Sequence, residues 1–195
     1  MIEELLQPYQ FEFFRNGLAV ATIAGALCGL VGVYVVQRGM SYIGHGLSHA
    51  IFGGFAASAL LGVSVFIGAG IWGIASALAI NGVTRRRTIG ADAAIGVITT
   101  ASFALGLALF AIFGRAGQSF DAALFGSILG VSTTDVLTLA AVATFAAAII
   151  FFQYRPLLFT TFDPEVAEAS GVRTARVEAL LMLVLALTIL STMQV

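Results

Sequence analysis

Between Arg38 and Arg85 the chain reads GMSYIGHGLSHAIFGGFAASALLGVSVFIGAGIWGIASALAINGVT, residues 39–84, 46 positions without a formal charge. A helix crosses the hydrocarbon core of a bilayer in about 20 apolar residues, so this stretch has room for two crossings and a turn. Helices are the expected form. Backbone groups in lipid must be satisfied within the segment, and the run lacks the alternation of a barrel strand.

The same pattern extends outward. Residues 16–37, 93–114 and 136–154 are also free of formal charge, and the whole chain is 59% hydrophobic with only 10% charged residues. Its mean hydropathy is +1.03. Soluble domains carry about 25% charged residues, so this chain has too few to coat itself and its outer surface must meet lipid. The reading is an all-α polytopic transmembrane helical bundle, one domain over residues 1–195. About six spans are expected, at 16–36, 40–62, 64–83, 93–113, 136–153 and 177–195.

Arginine placement sets the orientation. Arg38, the Arg85-Arg86-Arg87 run, Arg155, Arg173 and Arg176 mark the cytoplasmic side by the positive-inside rule, and Arg115 is the exception. The N-terminus then lies outside, with Met1–Phe14 as a short amphipathic approach segment. Phe120–Ser132 is apolar but too short for an ordinary span, and is expected to be a re-entrant or interfacial helix on the outer side. The last apolar run reaches Val195 without a charged flank, which points to a longer chain. The acidic Met1–Glu12 lacks the basic start of a cleavable signal peptide.

All nine basic residues are arginine. Without lysine there is no Walker A loop, so any ATP hydrolysis must come from a separate subunit. The net charge of −1 argues against a nucleic-acid partner. Cys28 is the single cysteine and cannot form an internal disulfide. No catalytic set and no permanently bound cofactor is expected.

The two histidines of the chain stand four apart in GHGLSHA, as His45 and His49. On a helix, positions i and i+4 share a face, and two imidazoles so placed suit a divalent transition metal. Ionisable groups within membrane spans usually face the bundle interior or a water-filled path. The alternative is a pair of neutral rings hydrogen-bonded to neighbouring helices. Two imidazoles are only part of a coordination shell; Asp92 and Asp121 are candidates to complete it. Glycines are abundant, and Gly25/Gly29 and Gly53-Gly54 are spaced for close helix contact.

In Phe162-Asp163-Pro164-Glu165-Val166-Ala167-Glu168-Ala169-Ser170-Gly171, Asp163 can cap a helix, Pro164 fits its first position and Gly171 can end it. A helix of about seven residues does not persist alone in water, so it needs a partner or the neighbouring spans.

Taken together, the chain resembles the permeases of bacterial ABC importers for zinc, manganese and iron. Arg38-Gly39-Met40-Ser41-Tyr42-Ile43-Gly44-His45-Gly46-Leu47-Ser48-His49-Ala50 is similar to that family's R-x-M-S-x-x-G-D-A-L-S-H-A. His45 stands where aspartate is usual and Gly46 where alanine is usual. Gly90–Gly96 looks like its D-x-x-I-G segment, although Asp92 would also suit a helix start through the dipole.

The resemblance implies that His45 and His49 contact the metal. It also implies that Phe162, Asp163, Pro164, Glu165, Ala167 and Gly171 dock on a cytoplasmic ATPase. It implies a homodimer in the bacterial inner membrane, supplied by an extracytoplasmic metal-binding protein, with roughly two more spans. The transported ion would be zinc, manganese or iron, and two nitrogen ligands favour zinc over manganese. A permease for a metal chelate such as a siderophore or cobalamin is the alternative. A membrane di-iron oxygenase is a remoter one, since such sites need many more histidines.

Overall fold

The structure, a computed structural model, describes residues 7–40, 42–86, 89–113 and 130–193, apart from the side chains of Ala59 and Val65. After a short helical turn at Gln7–Gln10, the described helices are α1 (Glu12–Gln37), α2 (Ile43–Leu61), α3 (Val65–Arg85), α4 (Ala91–Phe113), α5 (Thr133–Phe152), α6 (Tyr154–Phe162), α7 (Pro164–Ala169) and α8 (Thr174–Met193). The six long helices differ from the expected spans by a few residues at their ends. Residues 120–129 of the expected re-entrant segment, Asp121, Arg87 and Arg115 lie outside the described residues. So do Met1–Leu6 of the approach segment and the terminal Val195.

Among the described residues, five helices are long and apolar enough to cross a membrane: α1, α3, α4, α5 and α8. In α8 half of the apolar window is buried, against 17% in α4 and α5, so α8 occupies the centre and the other two face outward. The shorter α2, diluted by two histidines and four glycines, is enclosed by α3, α4 and α8. Its Ile43, Leu47, Ala50, Phe52 and Ala56 are buried.

The corners have identifiable chemistry. Gly39 adopts φ +64°, and its N–H donates to the Val36 carbonyl (3.1 Å) while Met40 N–H donates to that of Val35 (3.0 Å). A left-handed residue after the last turn closes off the orphan carbonyls of α1. At the start of α5, the Ser132 side chain and Asp135 exchange a capping box, satisfying two orphan N–H donors at once.

Small residues set how closely α2 approaches α4. A Cβ on Gly106 would sit 2.7 Å from the Gly53 Cα, so the two backbones touch there as membrane helices with small interfaces do. Trp72 of α3 donates its indole N–H to the Ser102 hydroxyl (2.6 Å). That hydroxyl in turn donates to the Ala50 carbonyl of α2 (3.0 Å). A Cβ added at Gly25 or Gly29, by contrast, would meet no other element within 4 Å among the described residues.

Candidate functional site

His45 and His49 stand on the first two turns of α2, as the third and seventh residues of the helix. At 1.5 Å rise per residue they lie about 3 and 9 Å from the helix start. That end is shared with Arg38 and, at the close of α3, with Arg85 and Arg86, so the positive-inside rule puts the pair in the cytoplasmic third of the bundle.

The rings meet edge to face, with centroids 4.4 Å apart and planes 85° apart. Phe103 of α4 closes the other side of His49 at 4.8 Å. Burial is uneven: His45 is exposed and His49 is partly buried. The exposed ring opens onto the space beside α2, whereas the partly buried one is held against α4.

Both imidazoles line a cavity of about 390 Å³ between α2 and α4, together with Tyr42, Asp92, Ile95, Gly96, Thr99, Thr100 and Phe103. The α4 residues recur every three or four positions and so form one helix face. A Cβ on Gly46 would lie 2.8 Å from Ile95 and 2.9 Å from Thr99. A glycine there therefore lets α4 lie against the histidine turn. The His49 Nδ1 is buried and has no hydrogen-bond partner among the described residues. Leaving such an atom unsatisfied costs about 1–3 kcal/mol, so it is suited to a ligand.

Among the described residues no three histidine, cysteine or acidic side chains stand close enough to hold a metal together. Of the two candidates to complete the shell, the fold brings Asp92 to the same cavity. Thr99, Thr100 and Phe103 were not singled out from the sequence. Their signal is the helical spacing from Asp92, but only the α2–α4 pairing gives that face its meaning.

The 162–171 segment forms a capped helix at the arginine-rich end. The Asp163 carboxylate accepts from Val166 N–H (3.0 Å) with Pro164 in the first turn, and Gly171 adopts φ +85°. Ala167 is fully buried and holds the short helix to the bundle, whereas Phe162 is 70% exposed and Val166 49%. Asp163, Pro164, Ala167 and Gly171 thus build the helix, while Phe162 and Glu165 are presented outward.

Behind α7 lies a second, polar cavity of about 380 Å³, with Gln37, Arg38, Asn81, Arg85, Glu168 and Glu178 among its lining residues. Arg38 donates from Nε to Thr161 Oγ1 (3.1 Å) and from Nη2 to Thr160 Oγ1 (3.0 Å). Burial pulls its guanidinium pKa below the ordinary arginine value, with Glu178 and Tyr34 opposing. Arg85 pairs with Glu178 at 2.5 Å.

The ABC 3 transport family matches residues 10–195. The manganese transport system membrane protein MntC of Halalkalibacterium halodurans is 38% identical over 190 residues, covering 96% of this chain and 64% of that protein. A probable iron transport system membrane protein of Haemophilus influenzae is 34% identical over 195 residues, covering all of this chain and 72% of that one. Among solved structures, PsaBC from Streptococcus pneumoniae in complex with Fab superposes with a TM-score of 0.80 at 36% identity. That match covers 100% of this chain and 70% of the other. The chain thus spans about two thirds of the relatives it matches.

Proposed function

The chain belongs to the ABC 3 transport family, and from that premise we propose that it is the membrane-spanning permease of an importer for a divalent transition metal ion. The observation that carries the ion-binding role is the imidazole pair on α2, with an unpartnered His49 Nδ1 and the Asp92 carboxylate around one cavity. Six waters at roughly 30 Å³ each occupy about 180 Å³, so a hydrated ion fits a space of about 390 Å³.

His45 and His49 take the ion transiently, and Asp92 offers an oxygen donor in the same space. Incomplete coordination suits a transporter, which must release what it binds. A chelate already fills its metal's shell and would leave both imidazoles without a role.

The ion class follows from two lines of support that pull apart. Two nitrogens favour zinc, whereas manganese prefers oxygen. The relatives named above carry manganese and iron in their names, and Asp92 supplies the harder donor. Manganese is therefore the proposed cargo, in place of the zinc favoured from the histidines alone.

ATP hydrolysis belongs to a cytoplasmic subunit that docks on the short helix α7, which Asp163, Pro164, Ala167 and Gly171 shape and at which Phe162 and Glu165 face outward. Exposed apolar side chains beside α7 support that contact, since apolar patches mark interaction surfaces. The permease works as a homodimer in the bacterial inner membrane, supplied by an extracytoplasmic metal-binding protein.

The test is uptake of manganese, zinc and iron by cells that depend on this permease, comparing wild type with a His45→Ala/His49→Ala variant at equal membrane abundance. Loss of a supporting partner of a metal ligand alone costs roughly 10–100-fold, so loss of both imidazoles is expected to do at least as much. Unimpaired uptake would end the site assignment.

A further inference from the structure

We infer that Arg38 is the coupling residue of this permease, the side chain through which movement of α7 reaches the histidine-bearing end of α2. The inference rests on the transport reading above and adds to it how the docking helix and the ion site communicate.

The geometry has three parts. First, the guanidinium of Arg38 bridges to consecutive threonines on the last turn of α6, and the chain then runs directly into Asp163 and α7. Both threonine hydroxyls are already oriented. Thr160 donates to the Pro156 carbonyl (2.9 Å) and Thr161 to that of Leu157 (2.6 Å), so their lone pairs are turned out to accept from arginine. The planar fork of arginine presents several donors at fixed angles, which a lysine ammonium cannot reproduce.

Second, Arg38 is the capping residue of α1, its own N–H donating to the Tyr34 carbonyl (3.1 Å). Gly39 and Met40 complete the corner, and Met40 is buried. Ile43 N–H donates to the Met40 carbonyl (3.0 Å), starting α2. His45 follows two residues later. A displacement of Arg38 therefore acts on a corner whose two sides are joined by the Ile43–Met40 hydrogen bond, and the ion site lies on the turn that follows.

Third, the same cavity contains a polar contact of different connectivity. Arg85 joins Glu178, tying α3 to α8 and leaving the α6–α7 unit out. It is a control for general loss of polar contacts at this end.

The experiment uses the full-length permease reconstituted with its ATPase in proteoliposomes, reading ATP hydrolysis and manganese uptake together. Arg38→Ala is expected to keep hydrolysing ATP while uptake per ATP falls about tenfold, within the roughly 5–150-fold span of coupling between sites. Arg38→Lys should fall between the two. Thr160→Val/Thr161→Val, which removes the acceptors and keeps the arginine, should reproduce Arg38→Ala. Combining all three changes should add little, as expected for groups acting as one unit.

Arg85→Ala should leave the ratio unchanged. The inference is overturned if Arg38→Ala retains full uptake per ATP, or if hydrolysis and uptake fall in proportion as the ATPase dissociates. Should His45→Ala/His49→Ala transport normally in the same assay, the ion-site reading fails instead, and the two failures are told apart.

Discussion

Two cavities of similar size, about 390 and 380 Å³, sit near the same end of the bundle and treat their polar groups in opposite ways. In the one behind α7, Arg38 is matched by two threonine hydroxyls and Arg85 by a carboxylate. In the one between α2 and α4, His49 keeps a buried nitrogen unpaired and His45 projects into the open space. Satisfied groups hold helices in register. Unsatisfied ones raise the energy of the empty state, and a ligand that fills them recovers it. The difference separates a region that holds helices in register from one that receives a ligand, within a few turns of helix.

The contrast is broken most directly by exchanging outcomes. His49→Leu keeps most of the ring's volume and removes its nitrogens. It is expected to abolish metal uptake, yet to raise the thermal midpoint in detergent, because relief of an unsatisfied buried group is worth about 1–3 kcal/mol. Arg85→Ala should do the reverse, lowering the midpoint slightly by the ~1 kcal/mol or less of a partly exposed ion pair while uptake continues. A His49→Leu protein that melts earlier and a transport-dead Arg85→Ala would show that the regions have been assigned the wrong way round.

A second measurement concerns the frame that brings α4 to α2. Gly106→Leu forces a side chain against the Gly53 backbone; overpacking costs typically 1–3 kcal/mol and more where backbone must move. The expected result is loss of folded protein on size-exclusion chromatography. Gly44→Ala, on α2 where an added Cβ would meet nothing within 4 Å, should be silent. Trp72→Phe sharpens the picture with a smaller loss, about 1 kcal/mol for one hydrogen bond to Ser102, read as a lower thermal midpoint.

The membrane class and the approximate spans could be read from charge spacing, because crossing a bilayer requires apolar length whatever the packing. The α7 cap was legible for the same local reason: Asp163, Pro164 and Gly171 act on backbone within a few residues. What could not be read was anything that depends on two helices meeting. Asp92 could be read either as a candidate ligand or as a helix-start acid, and only the α2–α4 packing makes it a cavity residue beside the histidines. Arg38 looked like a topology marker. Its threonine partners lie 122 and 123 positions away, and no periodicity announces such a pairing. The histidines gave the chemistry of the site but not its exposure, which is set by how far α4 covers the first turn of α2.

The smallest expected change in stability carries the most information about cargo. His45 occupies an exposed position, so His45→Asp leaves the packed face of α2 intact. Its effect falls on selectivity. Replacing one imidazole by a carboxylate turns a mixed nitrogen–oxygen site toward oxygen, which manganese prefers and zinc does not require. In competition uptake, His45→Asp should shift the manganese-to-zinc preference toward manganese, and Asp92→Asn should shift it the other way. If both variants leave the preference unmoved while total uptake persists, discrimination lies elsewhere along the pathway. The α2–α4 cavity would then be a place the ion passes rather than the place where it is chosen.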